Sequence, residues 1–304
     1  MKYASIDIGT NAVLLMIVEI KDRIEEIYDT AVITRLGEGL KQTGDLSIEA
    51  MERTLNVLRH YKAIAEKNQV SEVFCVGTAA LREAQNRDTF LERARKQLSF
   101  DIRVISEREE AYYTYLSVHQ NLSDEEDVII IDIGGGSTEI ICGDRENIID
   151  YISLPVGSVK LTEMFIKHDP PLDNEISLLR DFITSILKLP FKRKVQSVVG
   201  TAGTVTTLGS ISKGLCEWDK KQIHGLTLKC KRIDEVVHRL LTKTISERSK
   251  LPGMEKGRED IIPQGIILLQ EIMRYLGAEA LMIDANGVRH GVLCERLALL
   301  NAQA

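Results

Sequence analysis

The chain has 304 residues, of which 44% are hydrophobic and 28% are charged, a composition typical of a folded globular protein with two domains. Its net charge of −6 argues against a nucleic-acid-binding protein, and no apolar run approaches the roughly 18 residues of a membrane span. The N-terminus enters a strand pattern at once, so we expect no signal peptide. The five cysteines are scattered, odd in number and outside any CxxC pair, and the histidines do not cluster. We therefore expect a cytoplasmic protein with reduced thiols, no histidine-built metal centre, and neither a nucleic-acid nor a membrane partner.

The first elements form a pattern that occurs twice. Residues 3–9, 12–20 and 24–34 are predicted as three strands, the first two joined by a turn that begins Asp7-Ile8-Gly9. The same strand, Asp-Ile-Gly turn and two further strands recur between residues 128 and 154, where Asp132 stands 125 positions after Asp7. This repetition predicts two domains of one architecture.

Helices and strands alternate after each copy. The elements predicted after the first are helix 47–67, strand 72–77, helix 86–98, strand 101–105 and helix 107–119. Those predicted after the second are helices 157–167 and 173–188, strand 195–200, helix 204–213, further helices, strand 280–284 and helix 288–300. This order predicts the α/β class, with mixed sheets flanked by helices. Two such copies facing each other resemble the duplicated domains of actin-like ATPases (ribonuclease H-like), which implies an active site in the interdomain cleft.

The domain prediction places the boundary in an acidic segment. Residues 1–122 form actin-like domain I, with the C-terminal helix 288–304 packing back on it, and residues 123–287 form actin-like domain II. The segment 123–127 is predicted either as an interlobe hinge or as a solvated loop.

Three glycine turns are candidate phosphate sites, because glycine after a strand lets successive backbone amides converge on an anion. The third turn also opens a helix, whose free N–H groups and dipole attract phosphate. The residues singled out in these turns are Gly9, Thr10, Asn11, Gly134, Gly135, Gly136, Ser137, Thr138, Gly203 and Thr204. Asp7 and Asp132, which lead the first two turns, are predicted as ligands of Mg²⁺, a cation that prefers carboxylate, water and phosphate oxygens. The alternative is that each Asp only caps its own turn.

Two glutamates are candidates for activating water. Ser106 and Glu109 fit the S-x-x-E capping box of a helix start, which leaves the neighbouring Glu110 without a structural task. Glu139 follows the second glycine turn and shares a strand face with Ser137. A glutamate is common in a first helical turn, so a purely structural Glu110 is the competing interpretation.

At these residues the chain resembles the exopolyphosphatase / guanosine pentaphosphate phosphohydrolase family, in its short two-domain form. The ordered conjunction of Glu109-Glu110-Ala111, the segment 132–139 (DIGGGSTE) and the segment 200–204 (GTAGT) carries the resemblance. Further matching segments are 5–11, 77–82, 154–159, 224–225, 251–254 with Arg258, and 284–293.

The resemblance implies removal of a terminal phosphate from inorganic polyphosphate, or alternatively from pppGpp, with Mg²⁺ or Mn²⁺ as cofactor. It implies Glu110 as general base, Glu139 as the residue that places the water or metal, and Arg82 as a contact to the phosphate chain. It leaves K⁺ stimulation and a homodimer open. One departure favours polyphosphate: where the family often carries Arg or His, this chain reads Ala12-Val13-Leu14-Leu15.

Basic segments around Lys188–Lys194 and Lys213–Arg232 are predicted either to line a chain substrate or to be solvated surface. An actin-like kinase or ATPase, and a phosphate or alarmone sensor without turnover, remain the rival functions.

Overall fold

The computed structural model describes residues 1–21, 23–119, 127–191 and 197–303, and the chain divides into two compact units. Unit 1 comprises Met1–Ser117 and Asn286–Ala304, and unit 2 comprises Val118–Ala285. The predicted domain boundary at 122 and residues 123–126 of the predicted hinge lie outside the described residues. Within the described ranges, no helix is long and apolar enough to cross a membrane.

Strands and helices alternate along the chain after each strand meander. The strands are β1 (Lys2–Ile8), β2 (Ala12–Ile20), β3 (Ile24–Ile33), β4 (Glu72–Gly77), β5 (Ile102–Val104), β6 (Val128–Ile133), β7 (Thr138–Gly143), β8 (Ile148–Leu154), β9 (Ser197–Thr201), β10 (Thr227–Lys229) and β11 (Ala280–Ile283). The helices are α1 (Leu40–Thr43), α2 (Ile48–Lys67), α3 (Ala79–Glu83), α4 (Arg87–Arg95), α5 (Glu107–His119), α6 (Ser158–Phe165), α7 (Asp173–Ile186), α8 (Ala202–Lys213), α9 (Lys220–Ile223), α10 (Cys230–Leu241), α11 (Ile245–Arg248), α12 (Ile262–Leu276) and α13 (Val288–Gln303).

Unit 1 is built on a five-stranded mixed sheet of order β3-β2-β1-β4-β5. Strands β1 to β3 form an antiparallel meander, whereas β4 is parallel to β1 and β5 to β4. The two-residue period of β1 and β2 divides their side chains between two cores. Ile6 and Leu15 pack with α2 residues on one face, while Tyr3 and Met16 pack with Leu293 of α13 on the other. Both faces are covered, which explains why these strands are apolar almost throughout.

Unit 2 repeats this plan in a six-stranded sheet of order β10-β11-β9-β6-β7-β8. Strands β6 to β8 form the antiparallel meander, β9 runs parallel to β6, and β11 runs parallel to β9. The short strand β10 extends the sheet by pairing antiparallel with β11. The main core of this unit joins β6, β9 and β11 to α8, α10 and α12.

The predicted fold class is confirmed, because both units contain a mixed sheet flanked by helices and share the order of third, second, first and fourth strand. The strand that follows the fourth in the sheet is β5 in unit 1 and β11, the sixth strand, in unit 2. The two units of one architecture that the repeated pattern predicted are present, whereas the strand order was not predicted. The predicted long elements are present. The short elements α1, α3, α9, α11 and β10 were not predicted individually, because three to five residues carry too little periodicity to identify an element.

Candidate functional site

The two Asp-led turns close in the same way. In unit 1 the Gly9 amide donates to the Ala12 carbonyl at 2.9 Å, and in unit 2 the Gly134 amide donates to the Ser137 carbonyl at 3.1 Å. These two glycines therefore shape the hairpins, and their amides are already used. The following amides, at residues 10–11 and 135–136, donate to no group within the described part of the chain. They are the N–H groups that each turn presents for an anion.

The start of α6 fixes the orientation of the turn in unit 2. The Ser158 and Val159 amides donate to the carbonyls of Gly134 and Gly135, each at 3.0 Å. A Cβ atom at Gly157 would collide with the backbone of the same two glycines. Because the turn carbonyls are held by the helix start, the peptide units of the turn have a fixed direction, and the free amides are preorganised.

A second candidate anion-binding element lies beside this turn. In the parallel pairing of β6 and β9, Asp132 is opposite Thr201, so both strands end at the same edge of the sheet. Helix α8 begins directly after Thr201, with Ala202 in the left-handed region at φ 66°. An alanine rarely adopts this conformation, and such strained residues cluster at ligand sites. The free amides of the first turn of α8, around Gly203, favour an anion.

Two carboxylates face each other across the hairpin of unit 2. Asp132 is the register partner of Glu139, which in turn is opposite Ser153 on β8. Asp132 and Glu139 are 6% and 1% exposed, and the Ser153 hydroxyl donates to Glu139 Oε1 at 2.8 Å. Like charges directly opposed in a sheet repel each other, so a cation between them would stabilise the pair.

One or two carboxylates completed by phosphate oxygens and water is the usual protein environment of Mg²⁺, and these two residues fit it. Among the described residues, no cluster of three or more His, Cys, Asp or Glu side chains is arranged to hold a metal by itself.

Arg258 lies over the start of α8. The sequence indicated this arginine only through its place beside the matching segment 251–254. The guanidinium of Arg258 packs against Gly203, where a Cβ atom would collide with it. Its Nε donates to Glu255 at 2.5 Å, and Glu255 also accepts the Thr207 hydroxyl at 3.2 Å. A positive charge therefore adjoins the free amides of α8, as phosphate binding requires.

The corresponding turn in unit 1 has one carboxylate, Asp7, where the hairpin of unit 2 has two. Asp7 is opposite Leu14, the position that Glu139 occupies in unit 2. Asn11 is only 4% exposed, and its Nδ2 and Oδ1 atoms are buried with no hydrogen-bond partner in the described ranges. A buried amide is stable only with polar partners, so Asn11 is suited to hydrogen-bond a polar ligand at this turn.

Glu110 forms an ion pair that the sequence did not predict. Arg82 Nη1 donates to Glu110 Oε2 at 2.8 Å and to the Ile105 carbonyl at 3.1 Å. Both side chains are largely buried, at 17% and 9% exposure. The predicted capping box is confirmed: Glu109 accepts the Ser106 amide at 2.8 Å and the Ser106 hydroxyl donates to it at 2.9 Å. These bonds and Arg103 together lower the pKa of Glu109, and Glu110 takes no part in the cap.

Some predicted residues have other tasks. The Thr138 hydroxyl donates to the Val156 carbonyl at 2.8 Å in a fully buried position, so this hydroxyl holds the segment after β8 against β7. Thr204 is also buried, against Gly265.

The structure bears on one of the two basic segments. Lys229 is opposite Ala280 at the start of β11, which is the end of the sheet away from the glycine turns. This position argues against Lys229 as part of a lining for a chain substrate. Residues 192–194 of the other basic segment lie outside the described residues.

Two histidines and a cavity in unit 1 are further features of the described residues. His224 accepts the Ala285 amide at 3.3 Å through Nδ1, and His290 contacts Cys294 at 3.4 Å, consistent with structural roles. A cavity of about 620 Å³ in unit 1 includes Phe74, Tyr113 and Arg296 in its wall, but none of the predicted site residues.

Fold and turns together define an α/β protein of two similar units, each with a glycine turn that presents two free amides. The sequence pattern of the Ppx/GppA phosphatase family matches residues 16–300. The chain therefore belongs to the Ppx/GppA phosphatase family, and the resemblance noted from its motifs is confirmed. It is an enzyme of the phosphoanhydride hydrolase class.

Relatives and solved structures agree with this assignment. Exopolyphosphatase 2 of Mycobacterium tuberculosis is 31% identical over 311 residues, covering 96% of this chain and 97% of the relative. The bifunctional 3-dehydroquinate synthase/phosphatase of Fusobacterium nucleatum is 33% identical over 96% of this chain, which spans only 46% of that longer protein. The crystal structure of the Aquifex aeolicus family member shares 35% identity, covers 99% of both chains and superposes with a TM-score of 0.83. An exopolyphosphatase structure from Cytophaga hutchinsonii superposes with a TM-score of 0.91 at 26% identity, over 98% of both chains.

Proposed function

We propose that this protein is an exopolyphosphatase that releases terminal orthophosphate from inorganic polyphosphate in the cytoplasm. The observation that carries the proposal is the hairpin turn of unit 2, where the free amides of residues 135–136 adjoin the opposed carboxylates of Asp132 and Glu139. Amides that bind phosphate oxygens beside carboxylates suited to Mg²⁺ form the combination that phosphoanhydride hydrolysis needs.

Each site residue has a proposed role that follows from its surroundings. Glu110 accepts the proton of the attacking water, and its ion pair with Arg82 orients this carboxylate. Arg82 uses only Nη1 for Glu110 and Ile105, so the rest of its guanidinium is available to phosphate oxygens. The free amides of both turns and Arg258 bind further phosphate oxygens.

The metal has a proposed site in the same hairpin. Asp132 and Glu139 would hold Mg²⁺ or Mn²⁺, and Asp7 in the turn of unit 1 is a further proposed metal ligand. The cation supplies charge neutralisation on the phosphate oxygens. The chain's own contribution is the fixed carboxylate pair, in which the Ser153 hydroxyl holds Glu139 in place.

Inorganic polyphosphate is favoured over pppGpp by the apolar character of the turn in unit 1. The side chain opposite Asp7 is Leu14, which cannot contact a nucleotide phosphate as a cation would. The second candidate substrate is pppGpp, supported by the family alone.

Parallel assays of the purified protein distinguish these functions. Phosphate release is measured with polyphosphate, pppGpp and ATP, each with Mg²⁺, with Mn²⁺ and with EDTA, and repeated with added K⁺. We expect Mg²⁺-dependent release from polyphosphate without any acceptor, at a kcat/KM at least tenfold above that for pppGpp. A preference for pppGpp would overturn the substrate choice. Transfer only to a hydroxyl acceptor would indicate a kinase, and binding without release a sensor. Size-exclusion chromatography with light scattering determines whether the protein forms a homodimer.

A further inference from the structure

The segment between α11 and α12 is irregular in structure but firmly held. It begins at Arg248, which is only 1% exposed. Arg248 donates to the Lys243 carbonyl at 2.9 Å, to the Glu259 carbonyl at 2.7 Å and to Asp169 Oδ1 at 3.2 Å. Its bond to Glu259 fixes the backbone one residue after Arg258.

A second anchor lies in the middle of the segment. Gly253 adopts φ 84°, and a Cβ atom there would collide with the backbone of Ser210 and Ile211 in α8. The segment therefore approaches the helix backbone as closely as glycine allows. Arg258 projects from a backbone that is fixed on both sides and directed at α8.

The side chain of Arg258 is held by one specific contact. Glu255 binds the Nε atom at 2.5 Å, while Nη1 and Nη2 lie against Gly203 and hydrogen-bond to no other group in the described part of the chain. An acceptor on Nε removes the torsional freedom of the guanidinium and leaves both Nη groups available. Glu255 is fixed in turn, because Thr207 on the second turn of α8 donates to it.

We propose that Glu255 is a positioning residue, which acts through Arg258 by orienting its two Nη groups to bind phosphate oxygens at the start of α8. The inference rests on the proposed function, since it takes the ligand at this helix start to be a phosphate chain. It assigns to Glu255, a carboxylate that would by itself repel such a chain, a favourable effect on binding. The arrangement is Thr207 to Glu255 to Arg258, with the phosphate beside Gly203.

The test combines four variants with two measurements. Glu255→Ala, Glu255→Gln, Arg258→Gln and the double variant Glu255→Ala/Arg258→Gln are compared with wild type. Tripolyphosphate binding is measured by isothermal titration calorimetry, and polyphosphate hydrolysis is measured as kcat and KM separately. Glu235→Ala is the matched control, because Glu235 forms an analogous ion pair with Arg232 three residues away on α10.

We expect Glu255→Ala to weaken tripolyphosphate binding and to raise KM by about 5- to 20-fold, with kcat within about twofold of wild type. Glu255→Gln retains an acceptor for Nε and restores most of the affinity. Arg258→Gln weakens binding by about 10- to 100-fold, and in that background Glu255→Ala adds less than about twofold. Glu235→Ala stays at wild-type values.

Several results would overturn the inference. Equal losses from Glu255→Ala in both backgrounds would show that Glu255 does not act through Arg258. A lower kcat and melting temperature with unchanged KM and binding would show a structural role only. If wild type binds tripolyphosphate but releases no phosphate, the proposed function is wrong, and the binding measurements alone decide the role of Glu255. If wild type does not bind tripolyphosphate at all, both proposals are wrong.

Discussion

Replacing Glu110 by glutamine tests the proposed base with the least disturbance of its surroundings. Glutamine keeps the size of the side chain and an oxygen that can accept the hydrogen bond from Arg82 Nη1. It removes the negative charge and the ability to take a proton from water. We expect kcat to fall by about 10²- to 10⁴-fold, the usual contribution of a general base.

The effect on stability follows from the burial of the ion pair. Exposures of 17% and 9% mean that the charge of Arg82 would remain poorly solvated without its partner. Truncation to alanine would leave it uncompensated, a change that costs about 3–5 kcal/mol for a fully buried pair. With glutamine, a charge-assisted bond becomes one between a cation and a neutral amide, so we expect a loss of about 1–2 kcal/mol. This is small enough for the enzyme to stay folded at 25 °C.

The assay separates the two effects by comparison with Arg82→Gln. That variant breaks the same ion pair and costs similar stability, but it keeps the carboxylate. Phosphate release from polyphosphate under single-turnover conditions should be almost abolished in Glu110→Gln. In Arg82→Gln it should persist with a raised KM. Thermal unfolding of both variants confirms that they are folded. Near-normal single-turnover rates in Glu110→Gln would exclude Glu110 as the base.

The remaining predictions concern the glycine contacts, the carboxylate pair and the N-terminus of α7. Gly157→Ala places a methyl group into the backbone of Gly134 and Gly135, so it should cost about 1–3 kcal/mol in chemical denaturation and lower kcat/KM. The atoms nearest to the methyl group of Gly203→Ala belong to the end of the Arg258 side chain, which can shift by weakening its bond to Glu255, so this variant should raise KM with about 1 kcal/mol or less lost; the reverse order of stabilities would contradict these contacts. Asp132→Asn should abolish Mg²⁺-dependent turnover yet raise the melting temperature in EDTA, by relieving the repulsion from Glu139; a lower melting temperature would contradict this. Burial alone would raise the pKa of Glu175, but His168 and the Leu172 and Lys167 amides outweigh it and lower this pKa from 4.5 to about 2. The stabilising effect of the Glu175 carboxylate is therefore complete above about pH 4.5 and lost as the pH falls towards 2. Glu175→Gln should lower the free energy of unfolding by about 1 kcal/mol at pH 7, and it should weaken the dependence of that free energy on pH between 4.5 and 2.

Local sequence patterns were sufficient to predict the fold class and part of the candidate site. The repeated Asp-Ile-Gly turn predicted both hairpins, because a strand, a glycine turn and a second apolar strand leave few alternatives. The capping box correctly separated Glu109 from Glu110, since a cap depends only on residues three apart.

What the sequence could not predict depends on residues that are distant along the chain. The Arg82–Glu110 pair joins positions 28 residues apart, and nothing near either residue indicates the other. The contact of Ser153 with Glu139 depends on the register of β7 and β8, which sequence alone does not fix. Thr138 was grouped with the glycine turn because of its position, although strand alternation directs it to the Val156 carbonyl.

The duplication makes the two glycine turns directly comparable, and they differ in the side chains that can bind metal and phosphate. Both hairpins use the same first amide to close, and both leave the next two amides free. The difference is the residue opposite the aspartate: it is Leu14 in unit 1 and Glu139 in unit 2. A lone carboxylate beside free amides repels an anion unless a cation is supplied from elsewhere, whereas a fixed pair retains a divalent cation. The turn of unit 2 is therefore the stronger candidate for holding metal and phosphate together. The turn of unit 1 has a single carboxylate and the buried Asn11 amide, and it is suited to phosphate oxygens that reach it without a nucleotide.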